Sequence, residues 1–267
     1  MDNMRDFLEM IPAIEALVKE TVAEILGQPD YFILAKGRQD LVTELDYAME
    51  REIKRKLQAL FPADHFIGEE ENHEDLGPER TWVCDPIDGT VNFVQGLPYY
   101  GVTLALLVER EPVFTLIYLP KLDETYAAIR GKGAFLNGQR LTTHPERELA
   151  QSIVTFGDFS KSNPTSRPFQ IKAMSILMEK ALRVRIQGAS SVDFAFLAAD
   201  RNSCHILFSN SLWEVAPGQL LAEEAGCVTA TLNGQDYGFR RKGLVFAANQ
   251  IILDQVVRAL DRGWRAV

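Results

Sequence analysis

Trp82-Val83-Cys84-Asp85-Pro86-Ile87-Asp88-Gly89-Thr90-Val91-Asn92-Phe93 is the stretch on which the reading of this chain turns. The hydrophobic run Thr81 to Cys84 predicts a short strand, and it ends in two acids that flank Pro-Ile. Pro86 fixes its own φ and restricts Asp85 to extended geometry, while Gly89 permits a tight reversal before Thr90. Such a loop is stiff and can aim both carboxylates at one point. Asp-Pro and Asp-Gly are also common turn formers, so in isolation the pattern reads as readily as a plain turn.

The two acids match the needs of a hard divalent cation. Mg²⁺ takes oxygen ligands and keeps several waters, so a few carboxylates and a backbone carbonyl suffice; Asp85, Asp88 and the Ile87 carbonyl are candidates. If Thr90 opens a short helix, the backbone N–H groups of Gly89 and Thr90 point toward a bound phosphate.

Upstream, Ile67-Gly68-Glu69-Glu70-Glu71 places a further acid, Glu69, at the end of another apolar run, although a triple Glu is ordinarily a solvated face. The run Lys36-Gly37-Arg38-Gln39-Asp40-Leu41-Val42-Thr43-Glu44-Leu45-Asp46 reads as a loop leading into a capped helix, with Asp46 in the first helical turn.

Farther out, apolar spacing predicts a helix from Phe7 to Leu26, with Pro12 as a point of kinking, and another from Thr43 to Leu60. His65 to Ile67 is a second short strand. Gly101 to Val108, Val113 to Leu119 and Glu124 to Ile129 predict an antiparallel sheet, with a turn at Asn137-Gly138. Beyond residue 145 the pattern becomes alternating α/β: helices over 168–181, 190–199, 214–225 and 250–262, and strands over 183–187, 204–208 and 244–248. The expected organisation is an α+β half over 1–145 that carries most of the acids, and an α/β half over 146–267.

A formal charge of −9 argues against a nucleic-acid backbone as partner, and a phosphorylated small molecule would need positive charge that bound cations supply most simply. Cys84, Cys204 and Cys227 are dispersed, without a C-x-x-C pair, and read as buried thiols rather than a disulfide or zinc framework. No apolar run reaches the ~18 residues of a membrane span, and acids stand in the first turn, so the expectation is a cytoplasmic protein that meets neither membrane nor nucleic acid.

Taken together and in this order, these segments resemble the inositol monophosphatase family from the N-terminal helix to near the C-terminus. The resemblance rests on Asp85-Pro86-Ile87-Asp88-Gly89-Thr90, on Trp213-Glu214-Val215-Ala216-Pro217-Gly218 through Glu223-Glu224-Ala225-Gly226, and on Gly131 to Gly138. It implies a layered αβαβα sandwich of the sugar-phosphatase type, a homodimer, and hydrolysis of a small phosphate monoester by water with two or three Mg²⁺ ions and no covalent intermediate. Carried over by position, Glu69, Asp85 and the Ile87 carbonyl hold a first ion. Asp85, Asp88 and Glu214 hold a second on the leaving-group side, and Glu69 reaches a third through water. Thr90, backed by Asp46, relays the proton of the attacking water, and Lys36 lies near metal-bound waters.

Two departures qualify the transfer. Glu214 stands where the family usually has Asp, a feature shared with the fructose-bisphosphatase branch, so metal binding and lithium sensitivity are expected to shift. Leu207 falls where inositol-specific members place a Glu that grips ring hydroxyls, which implies weak use of inositol 1-phosphate. Fructose 1,6-bisphosphate, histidinol phosphate and 3'-phosphonucleotides are alternative substrates within the superfamily, although Val91-Asn92-Phe93 looks more like the inositol branch than the nucleotidase branch. A weakly active member with a binding role is the alternative of a different class.

Overall fold

The computed structural model describes residues 2–27, 32–37, 40–71, 76–157, 167–208, 211–232 and 243–264, and the side chains at 2–10, 35–41 and 261–264 are outside that description. The chain opens with helix α1 (Asp2–Leu26), which runs through Pro12, then β1 (Ile33–Gly37), β2 (Asp40–Thr43) and helix α2 (Glu44–Leu60). Strands β3 (His65–Gly68) and β4 (Thr81–Asp88) follow, then a five-residue helix α3 (Thr90–Val94). A meander comes next: β5 (Gly101–Val108), β6 (Glu111–Leu119), β7 (Glu124–Ile129), β8 (Gly133–Leu136) and β9 (Gln139–Arg140). The remainder alternates: β10 (Ile153–Phe156), α4 (Arg167–Lys180), β11 (Arg183–Ile186), α5 (Ser190–Ala198), β12 (Cys204–Leu207), α6 (Leu212–Ala225), β13 (Val228–Thr231), β14 (Leu244–Ala247) and α7 (Gln250–Trp264).

Among the described residues, β3 to β9 form one sheet in sequence order, antiparallel except for the β3–β4 pair. A second sheet runs β11-β10-β12-β14-β13, parallel on one side and antiparallel on the other. Period-2 patterning decides which helices each face receives. Trp82, Cys84, Leu104 and Leu116 pack against Ile14 and Val18 of α1 and Met49 and Ile53 of α2. Ile117, Leu119 and Tyr126 meet α5 and α6, which also pack on Leu207, Leu244 and Phe246 of the second sheet. The far face of that sheet, with Val154, Cys204 and Ile206, is covered by α4 and α7 through Ala173, Leu177, Ile252 and Val256. The result is the expected αβαβα layering, because each sheet has two apolar faces and each must be covered.

Three features differ from the sequence expectation. The run from Lys36 is not a plain loop: β1 and β2 form an antiparallel hairpin with an irregularity between Ala35 and Gly37, and Thr43 closes it as the N-cap of α2. The strands β10 and β13, four residues each, escaped the pattern because so short a window carries little period-2 signal.

Candidate active site

Strand β4 carries two of the acids, and a β-bulge sets their direction. Asp85 pairs with Thr103 and Asp88 with Gly101, so Pro86 and Ile87 together stand opposite one position of β5. In a regular strand, residues three apart point to opposite faces; one inserted residue restores them to the same side. Pro86 is tolerated at this bulge, and the Ile87 amide donates to Asp85 Oδ1 at 3.2 Å.

Asp85 is 3 % exposed and Asp88 8 %. Burial drives the Asp85 carboxyl well above the usual carboxylate range, and Glu69, Asp88 and Glu214 add to the effect as neighbouring negative charges. Glu69 also lies within hydrogen-bonding reach of Asp85, which adds to the rise. Burial raises Asp88 to about 6, against the opposing pull of the Ser191 hydroxyl and of the backbone at Ser191 and Ser190. The Ser191 amide, in the first turn of α5, donates to Asp88 Oδ2 at 2.5 Å. The buried Cys84 thiol is pushed up as well, first by burial and then by Glu50, Asp85 and Glu69.

Thr90 opens α3 behind Gly89, whose φ of +89° is left-handed. A Cβ at Gly89 would stand 2.8 Å from Ala189 Cβ and 3.0 Å from the Tyr99 carbonyl oxygen, so both dihedral and space require glycine. No side chain caps α3, leaving its first-turn amides to another acceptor. The Thr90 hydroxyl has one proton and two acceptors within reach, Asp46 Oδ1 at 3.2 Å and the Ile87 carbonyl at 3.0 Å.

Asp46 is itself immobilised. As the third residue of α2 it accepts from the Thr43 amide at 2.8 Å and the Thr43 hydroxyl at 2.6 Å, completing a capping box. The capping reading and the Thr90 reading of Asp46 thus hold at once, one carboxylate oxygen for each. Glu214 lies in the first turn of α6, tied to β5 by a bond from the Thr103 hydroxyl to the Trp213 carbonyl at 3.3 Å.

The fold therefore gathers Asp46, Glu69, Asp85, Ile87, Asp88, Gly89, Thr90 and Glu214. Lys36 is on β1, and its side chain lies outside the described residues. Leu207 is a core residue. Its side chain is 1 % exposed and packs in the core with Val192, Val215 and Leu244, because alternation along β12 turns it toward α5 and α6. A Cβ at Gly157 would stand 2.6 Å from Leu207 Cδ1, so the two positions are closely packed.

Sequence reasoning missed Thr43, Ser191 and Asn92. Asn92 Nδ2 donates to the Tyr99 carbonyl at 2.6 Å and the Gln187 carbonyl at 2.8 Å, stitching α3 to the loop before α5. The Ser190-Ser191 pair ahead of an apolar helical run was the available signal for a helix start near Asp88.

The donor set fits a hard divalent cation: all oxygen and mostly carboxylate, with Asp85 and Asp88 buried and Asp85 crowded by like charge that a cation would relieve. Among the described residues no three His, Cys, Asp or Glu side chains form a ready-made metal cage.

The profile of the inositol monophosphatase family matches residues 9–265. The chain belongs to the inositol monophosphatase family. It is a phosphatase of that family. Inositol monophosphatase 2 of Solanum lycopersicum is 32 % identical over 267 residues, covering 97 % of this chain and 99 % of the relative. The fructose-1,6-bisphosphatase/inositol-1-monophosphatase of Thermotoga maritima is 29 % identical over 235 residues, 88 % of each chain. A solved Thermotoga maritima IMPase superposes with a TM-score of 0.84 at 29 % identity, covering 100 % of this chain and 99 % of that one.

Proposed function

We propose that this member hydrolyses a small phosphate monoester by direct attack of water, with Mg²⁺ held by Glu69, Asp85, Asp88, Glu214 and the Ile87 carbonyl. The observation that carries the reading is the buried Asp85 carboxyl, flanked by Glu69, Asp88 and Glu214, a few residues from a Thr90–Asp46 hydrogen bond. When bound there, Mg²⁺ would acidify water and offset negative charge on the phosphoryl oxygens.

The chain's own groups supply orientation. With its proton directed at Asp46 Oδ1, the Thr90 hydroxyl presents lone pairs to a water and lines it up with phosphorus. The amides of Gly89 and Thr90 are free of a side-chain cap and suit a phosphate oxygen. The Ile87 carbonyl has a second lone pair beyond the one Thr90 reaches.

A sugar bisphosphate is the second reading, supported by the dual name of the Thermotoga maritima relative and by Glu214 in place of the expected Asp. A panel of inositol, sugar, nucleotide and amino-alcohol phosphates, assayed across a Mg²⁺ titration, separates the two. Turnover should need Mg²⁺ and fall when Ca²⁺ replaces it, since the larger, looser coordination misplaces water and phosphate. Full turnover after exhaustive chelation would overturn the metal assignment.

A further inference from the structure

Helix α2 presents two acids, one turn apart, on its buried side. Asp46 holds Thr90. Glu50, four residues on, is fully buried and reaches the other rim of the site. Its Oε2 accepts from the Glu70 amide at 2.7 Å and its Oε1 from the Glu71 amide at 3.1 Å. The neighbouring Arg51 donates from Nε to Glu71 Oε2 at 2.6 Å. The turn that carries Glu69 is thus gripped from α2 by backbone and by side chain, and the Glu69 amide itself donates to the Cys84 carbonyl at 3.2 Å.

Gly68 belongs to the same device. A Cβ there would stand 2.2 Å from Glu50 Cδ and within 2.4 Å of both carboxylate oxygens. Gly68 is not at positive φ, so the glycine serves space rather than backbone conformation. The Glu50 carboxylate occupies the volume that any side chain at 68 would fill.

We infer that Glu50 is a positioning residue for the reaction: by holding the Glu70 and Glu71 amides it fixes the Glu69 carboxylate beside Asp85. With Asp46 on the same helix, it makes α2 a common spine for the Glu69 turn and for Thr90. The inference rests on the proposed metal role of Glu69. Both Glu50 oxygens receive amide protons, the charge-assisted bonds of an anchor for the turn.

The test is Mg²⁺ binding by calorimetry on the full chain without substrate, beside thermal unfolding and steady-state kinetics at saturating Mg²⁺. Glu50→Gln keeps the volume but turns an NH₂ toward an amide N–H, and should raise the Mg²⁺ dissociation constant at least tenfold while KM stays within threefold. Glu50→Asp keeps the charge but loses the reach, and should also weaken Mg²⁺. Ile53→Ala, on the same buried face, should lower the unfolding midpoint without moving Mg²⁺ affinity beyond twofold. Unchanged Mg²⁺ affinity in Glu50→Gln, or Glu50→Asp matching the unmodified chain, overturns the inference and leaves the metal site standing. Should Glu50→Gln not fold, hydrogen exchange in the unmodified chain decides: protected Glu70 and Glu71 amides support the anchor, and open-loop rates overturn it. An unmodified chain that binds no Mg²⁺ removes the reading of the site and this inference with it.

Discussion

Two polar clusters in this molecule are each built around a buried carboxylate, with neighbours of different kinds. At the end of β4, Asp85 faces Glu69, Asp88 and Glu214, so its charged neighbours are of its own sign. In α5, the fully buried Asp193 carboxylate meets a neutral donor instead, Gln187 Nε2 at 2.9 Å from its Oδ1, while the Asp193 backbone carbonyl accepts from Asn202 Nδ2 at 3.0 Å. His205 Nδ1 stands 3.8 Å from Asp193 Oδ2 and 2.9 Å from the Thr155 hydroxyl, with the ring edge-on to Phe194 at 4.8 Å between centroids. A buried carboxylate crowded by its own charge is poised for a cation, whereas one met by neutral donors belongs to the architecture.

The largest effect should come from Asp85→Asn. Turnover should fall at least ~10³-fold, about 4 kcal/mol of barrier, while the unfolding midpoint of the metal-free protein stays level or rises because like-charge repulsion is relieved. A folded variant with near-normal turnover would erase the distinction between the clusters.

His205 offers a pH test of the second cluster. Burial lowers it to about 3, below its unfolded value of 6.5, so its contribution to stability is complete above pH 6.5 and is lost as pH falls toward 3. By pH 4.5 the loss amounts to about 2–3 kcal/mol. His205→Gln should flatten the decline in unfolding free energy between pH 6.5 and 4.5; parallel curves would assign the decline to carboxylates alone.

Asp193→Ala leaves the Gln187 amide without its acceptor and should cost about 2 kcal/mol in denaturant unfolding, with turnover at 25 °C kept within threefold. A hundredfold loss of turnover at unchanged stability would move Asp193 to the functional side. The smallest effect is expected of Glu214→Asp. One methylene at the first turn of α6 should shift the half-saturating Mg²⁺ concentration by about two- to fivefold, roughly 1 kcal/mol or less. No shift in the response to Mg²⁺ or lithium would remove Glu214 from the ligand set.

Much of this was legible because it is local. The apolar spacing of α1 and α2, the alternation of β5 to β7, and acids at the C-terminal ends of β3 and β4 are properties of short windows, and the structure keeps them. The β1–β2 hairpin was not legible, since Lys36-Gly37-Arg38-Gln39 has no apolar alternation. The core packing of Leu207 was not legible, because position along an aligned motif says nothing about which face of β12 the side chain takes. Glu50 left a faint mark, an acid among Met49, Ile53 and Leu57 on the apolar side of α2.

By itself the sequence determined the layered α/β pattern, the stiff Asp85-Pro86-Ile87-Asp88-Gly89-Thr90 loop and the kind of chemistry its oxygen donors suit. Only the tertiary structure decided how those donors are held. The Ser191 amide reaches Asp88 across 103 residues, the Thr90 hydroxyl reaches Asp46 across 44, and the Glu50 carboxylate reaches the Glu70 amide across 20. The β4 bulge that turns Asp85 and Asp88 to one side exists only against the register of β5. Residue types and local spacing set which groups are available, but direction and burial are products of strand pairing and layer packing, and they decide whether four carboxylates repel one another in water or converge on one point.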